Sequence, residues 1–74
     1  MSRLLPLKPT EVTRILSRLG FELIRQKVSH MFFRHPDGRN TVVPMHKGED
    51  IGRGLLRKIL QDIEVSWEEF EKHR

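Results

Sequence analysis

The sequence predicts a small α+β domain in which an amphipathic helix precedes three antiparallel strands, a second amphipathic helix and a short terminal helix. Three observations predict it. The stretch "EVTRILSRLG" repeats apolar residues at helical spacing, Val12, Ile15, Leu16 and Leu19, before a glycine closes it. "HMFFRH" and "NTVVPM" flank "PDGR", and an Asp-Gly pair between runs of aromatic and β-branched residues signals a hairpin. "LLRKILQDI" then places Leu55, Leu56, Ile59, Leu60 and Ile63 on one helical face and Arg57, Lys58, Gln61 and Asp62 on the other. Short connections between the strands imply an antiparallel sheet covered on one face by the two longer helices, with the other face open.

The first helix is expected over residues 9–19, because Pro9 suits the first turn, where its missing N–H is not needed, and Glu11 suits the positive helix end. "FELIRQK" reads as a strand: Phe21 and Leu23 alternate with Glu22, and Ile24 breaks the strict pattern. The two hairpin strands follow, and Pro44, which donates no ladder hydrogen bond, places the last strand at an edge or ends it there. A tight turn centred on Asp37 and Gly38 sets Phe33 across from Val42 and Phe32 across from Val43, with Met31, Phe33 and Val42 expected in the core. "HKGEDIGRG" lacks periodicity and reads as a mobile loop. After the second long helix, "SWEE" has the form of a capping box with Ser66 as N-cap and Glu69 three residues on, and Phe70 can pack back on Trp67.

A chain of 74 residues accommodates one domain, spanning residues 1–74, with one modest core. With no cysteine there is no disulfide, thiolate nucleophile or thiolate metal site, which fits a reducing cytoplasm. The apolar runs are far shorter than the ~20 residues a membrane span needs, and "MSRLLPLKP" lacks the apolar length of a signal peptide, so no membrane association is expected. Fourteen Lys and Arg against ten Asp and Glu give a net charge of +4, which favours a polyanionic partner. Four of the ten acids fall in the last eleven residues, leaving a basic body with an acidic tail.

Strand parity sorts the chemistry-bearing residues: His30, Phe32 and Arg34 share one face, Met31, Phe33 and His35 the other. The two histidines of this strand therefore do not ligate a metal together, and no HExxH or Cys/His pattern occurs, so neither a metal nor a cofactor is expected. If Met31, Phe33 and Val42 are core, the open face displays an imidazole, a stacking ring and a cation. Those are the parts of an RNA site, where aromatic planes stack on unpaired bases, cations hold phosphates, and the 2′-hydroxyl lies beside its own phosphodiester. A histidine of ordinary pKa can take the 2′-hydroxyl proton or protonate the leaving oxygen at neutral pH. The bland alternative makes His30 a polar strand residue. His46 and Ser29 are secondary candidates for catalysis or RNA contact, lying opposite each other in the tight-turn register. Lys27, Phe32, Arg34, Lys47, Arg53, Arg57 and Lys58 are candidate RNA contacts; His35 belongs to the turn and His73 to the charged tail.

These residues also carry a resemblance. The LGF closing the first helix, Ser29-His30 before the second strand, RHPDGR, VPMH ending the third strand, the glycine loop into LLRKIL and the terminal SWEEF stand in the order and spacing of the HicA (YcfA-like) toxin family of bacterial type II toxin–antitoxin systems, which the chain resembles over nearly all its length. The resemblance implies a double-stranded-RNA-binding-domain-like fold, a ribosome-independent mRNA interferase, and a HicB-type antitoxin that covers the active histidine; the histidine chemistry on single-stranded RNA itself requires no metal. By that resemblance the catalytic histidine is His30. The family usually reads Gly-Ser-His where this chain has Val28, Ser29 and His30. A glycine adopts backbone angles that valine does not. Two alternatives follow: a weakened toxin, or an active one whose backbone at Val28 never needed positive φ. A noncatalytic RNA-binding module and a protein–protein adaptor are the readings from other classes.

Overall fold

The computed structural model describes residues 4–74. The elements run α1 (Pro9–Arg18), β1 (Glu22–Lys27), β2 (His30–Arg34), β3 (Asn40–Pro44), α2 (Arg53–Ile63) and α3 (Trp67–Glu71). The strands form one antiparallel sheet in the order β1-β2-β3, so β1 and β3 are both edges. This is the α+β order expected from periodicity, with both long helices against one face and β3 ending at Pro44.

Helix α1 begins with Pro9 at its first turn and buries Pro9, Val12, Ile15 and Leu16. It ends into Gly20, whose φ of +95° belongs to the left-handed region where glycine is unstrained. Helix α2 buries Leu56, Ile59, Leu60 and Ile63 and closes at Glu64, a left-handed cap whose N–H donates to the Leu60 and Gln61 carbonyls. In α3 the Ser66 hydroxyl accepts from the Glu69 N–H, as the capping box requires, and Trp67 stacks with Phe70 at a ring separation of 6.1 Å. Phe21, Phe33 and Val43 complete the core from the sheet side, and burying each such side chain contributes roughly 1.5–3 kcal/mol. The loop read as mobile has an anchor: Leu7 and Ile51 are both buried and exchange backbone hydrogen bonds, tying the approach to α1 to the approach to α2.

The register corrects one expectation. Phe33 pairs with Thr41 and Phe32 with Val42, one residue away from the tight-turn pairing. A longer connection causes the shift: His35 N–H donates to the Arg39 carbonyl at 2.8 Å and Gly38 N–H donates back to His35 at 2.9 Å, while the Asp37 carboxylate caps Arg39 N–H. Because the side-chain period of a strand is two, the slip exchanges the faces of β3. Thr41 and Val43 are buried beside Phe33, Val42 turns to the open face with Phe32, and Met31 is half-buried against the core.

Strand β1 is exposed along its whole length. Its pairing skips a residue, from Leu23 opposite Phe33 to Arg25 opposite Phe32, so Ile24 is the extra residue of a β-bulge. That is the physical content of the broken alternation at Ile24. Past the bulge, Arg25 and Lys27 lie opposite Phe32 and His30 and so share the open face with them.

Candidate active site

The open face is built from the middle strand outward. His30 and Arg34 are exposed and Phe32 half-buried, in the alternation that strand parity predicts. The Arg25 guanidinium lies over the Phe32 ring, 4.8 Å from its centroid, and Lys27 pairs with His30 in the ladder. Arg25 was not among the candidates from sequence, since unbroken alternation would have put it on the face of Leu23; the irregularity at Ile24 was the signal that turns it over.

His30 stands at the end of β2 next to a two-residue turn, Val28-Ser29. Val28 has a φ of +54° and is 90% exposed, whereas Ser29 keeps negative φ, the φ pattern of a type II′ turn whose first central residue is ordinarily glycine. The alternative that the backbone at Val28 needs no positive φ is therefore excluded. Valine holds a left-handed conformation here at a cost of about 1–2 kcal/mol, the price of a β-branched side chain where glycine fits.

Ser29 is half-buried, and its carbonyl accepts from Met45 N–H. Met45, not His46, is thus its partner across the hairpin. His46 follows one residue later, beyond the end of β3, and its ring stands 6.4 Å from that of His30 with the planes at 80°. Two exposed imidazoles consequently share one solvent-facing site.

Beside them, the overhang of α2 past the edge of β3 leaves a groove of about 420 Å³. His30, Val42 and Pro44 form one wall, Leu55, Lys58 and Ile59 the other, and Asn40, Thr41 and Asp62 the far end. Asp62 accepts the Thr41 hydroxyl at 3.0 Å and lies 3.6 Å from Lys58 Nζ. A second groove of similar size holds His46 and Lys47 against Lys8 and the start of α1. Of the predicted cations, Lys27 and Arg34 join His30 on the open face, Lys58 lines the first groove and Lys47 the second. Arg53 and Arg57 are exposed on α2 and line neither groove.

His35 is elsewhere in kind as well as in place. Its ring packs edge-on to Phe21 at 5.0 Å and close to Gly20, and its Nδ1 accepts Asp37 N–H at 3.1 Å. The Asp37 carboxylate approaches the same ring nitrogen at 3.0 Å. His73 sits in the terminal segment near Glu69.

With this geometry in place the comparison with known families decides the assignment: the family described as the HicA toxin of bacterial toxin–antitoxin matches residues 9–65. The chain belongs to the HicA toxin family. Membership gives it the role of a toxin and implies an antitoxin as its partner. No curated protein matches the chain. No helix among the described residues of this HicA family member is long and apolar enough to cross a membrane.

Proposed function

We propose that this toxin is a cytoplasmic, metal-independent endoribonuclease that cleaves single-stranded mRNA, with His30 as catalytic acid or base and a HicB-type antitoxin that silences it by covering His30. The observation that carries the reading is the approach of the His30 and His46 rings on an exposed face that also presents Phe32, Arg25, Lys27 and Arg34.

The chemistry follows from RNA's own nucleophile. One imidazole takes the proton of a 2′-hydroxyl, whose oxygen attacks the adjacent phosphorus; the other protonates the departing 5′-oxygen. The products are a 2′,3′-cyclic phosphate and a 5′-hydroxyl end, and no outside reactant is consumed. Phe32 offers a stacking plane for an unpaired base, and Lys27 and Arg34 offset the phosphate's charge. Ser29, at the turn beside His30, is within the segment that approaches the sugar-phosphate backbone. Lys47 and Lys58 flank the histidine pair from the two grooves, and Arg53 and Arg57 extend the cationic surface along α2.

The test is cleavage of a single-stranded RNA by purified protein in EDTA. His30→Ala is expected to lower the rate by ~10²–10⁴, the usual contribution of a positioned acid or base. If the alanine variant cleaves as fast as the parent, His30 is not the catalyst. An alanine variant that still arrests bacterial growth with unchanged RNA affinity would point instead to a noncatalytic RNA-binding module.

A further inference from the structure

We propose that the groove between β3 and α2 is a base-reading subsite that selects guanine beside the bond cleaved, with Asp62 as the specificity-determining residue. The inference rests on the endoribonuclease reading and names what that reading leaves open, the base the site prefers.

The argument starts from the cost of a carboxylate in a site for a polyanion. Asp62 repels phosphate, so its presence in the groove that begins at His30 is useful to RNA only through donors on a base. Its acceptor capacity is already divided. Oδ2 takes the Thr41 hydroxyl at 3.0 Å and faces the Lys58 ammonium at 3.6 Å, an ion pair beyond hydrogen-bond distance. Among the described residues Oδ1 has no hydrogen-bond partner, so two acceptor positions remain, on a carboxylate whose orientation Thr41 fixes.

The neighbouring strand edge supplies the complement. In the β2–β3 ladder the bonded pairs include His35 with Arg39 and Ser29 with Met45, so odd-numbered residues of β3 bond inward and the N–H and C=O of Val42 point outward. Val42 lines the groove, and Thr41, its chain neighbour, holds the carboxylate alongside. Pro44 has no N–H, so the Val42 N–H is the donor this stretch of edge presents nearest the histidine end.

A backbone donor next to a carboxylate with two free acceptor positions matches one Watson–Crick edge. Guanine presents the O6 acceptor followed by the adjacent N1–H and N2–H donors. Adenine and cytosine each offer one amino group with acceptors beside it, and uracil a single N–H between two carbonyls. Leu55 on one wall and Pro44 on the other suit the two flat faces of a base, and Lys58, more than half exposed, can turn to its phosphate.

The experiment uses the full-length His30→Ala variant, so that RNA is bound without being cut, and fluorescence anisotropy with uridine dodecamers carrying one central G, A or C. The G-containing RNA is expected to bind about tenfold more tightly than the others, the discrimination one bidentate base contact gives. Asp62→Asn, which still accepts from Thr41, is expected to bring the three RNAs within about twofold of one another while binding to the uridine tract persists. Equal binding of G and A by the groove with Asp62 intact, or a G preference that survives Asp62→Asn, overturns the inference and leaves the ribonuclease reading standing. Failure of every RNA to bind overturns both.

Discussion

The two connections that frame β2 differ in almost every physical respect. The Val28-Ser29 turn projects into solvent, holds a β-branched residue in the left-handed region, and leads straight into His30. The segment from His35 to Arg39 is tied down on all sides: Asp37 pairs with Arg39 at 2.8 Å, the Arg39 guanidinium donates to the Ile63 carbonyl at the end of α2 and lies 5.2 Å over Phe21, and the His35 ring packs on the same phenylalanine. One connection locks the sheet to the helices. The other is held by little beyond its own strands, and the candidate catalytic histidine is next to it. Two histidines five residues apart therefore have opposite occupations, one structural and one free for chemistry.

The sharpest way to break this contrast is a pair of alanine substitutions. His30→Ala is expected to cost ~10²–10⁴ in RNA cleavage and to change unfolding free energy by less than about 0.5 kcal/mol, as surface changes do. His35→Ala is expected to do the reverse, losing about 1–2 kcal/mol through its contact with Phe21 and its bond to Asp37 N–H while cleavage survives. Parallel cleavage assays and urea melts decide it, and a His35 variant that is stable yet inactive would collapse the distinction.

Next in size is the clamp itself. Arg39→Ala removes the charged donor to the Ile63 carbonyl and the packing over Phe21, and should destabilise by about 2 kcal/mol in the same melts. A loss below half that figure would mean the hairpin does not depend on α2. At the bare turn the sign is opposite. Val28→Gly relieves the left-handed valine and is expected to stabilise by up to about 1 kcal/mol, after the extra backbone entropy of glycine is subtracted. Destabilisation on that substitution would show the valine side chain to be making a contact worth more than the strain.

The smallest effect is one of pH. Arg39, through its side chain first and its N–H second, holds the Asp37 carboxyl below its ordinary 3.8. A depressed folded-state pKa gives stability that is present above the ordinary value and fades as pH falls through the lowered one. Acid titration of stability should therefore show a shallower acid limb in Asp37→Asn than in the parent, with no difference at neutral pH in the slope. Equal limbs would remove Asp37 from the clamp's ionic part.

Element order was legible because helical spacing in α1 and α2 and β-branched runs around Asp37-Gly38 are local signals. The register was not. An Asp-Gly pair favours a two-residue turn, but here Asp37 spends its carboxylate on Arg39 and the connection widens, which moved Val42 out of the core and Val43 in. On the site, His30, Phe32 and Arg34 could be read together from parity within one strand. His46 was a secondary candidate set opposite Ser29, and the one-residue slip gives it the parity of His30 instead; Asp62 was not legible, because it reaches the groove from α2.

The bulge at Ile24 has a consequence beyond turning Arg25 and Lys27 over. A six-residue edge strand exposed on both faces, with Leu23 and Ile24 about half accessible, is a template on which further strands can add and polymerise. The extra residue breaks the even spacing of N–H and C=O groups along that edge, and a second copy laid against it brings its own Arg25 and Lys27 into the same neighbourhood. The irregularity that equips the open face with cations is thus also a guard against aggregation.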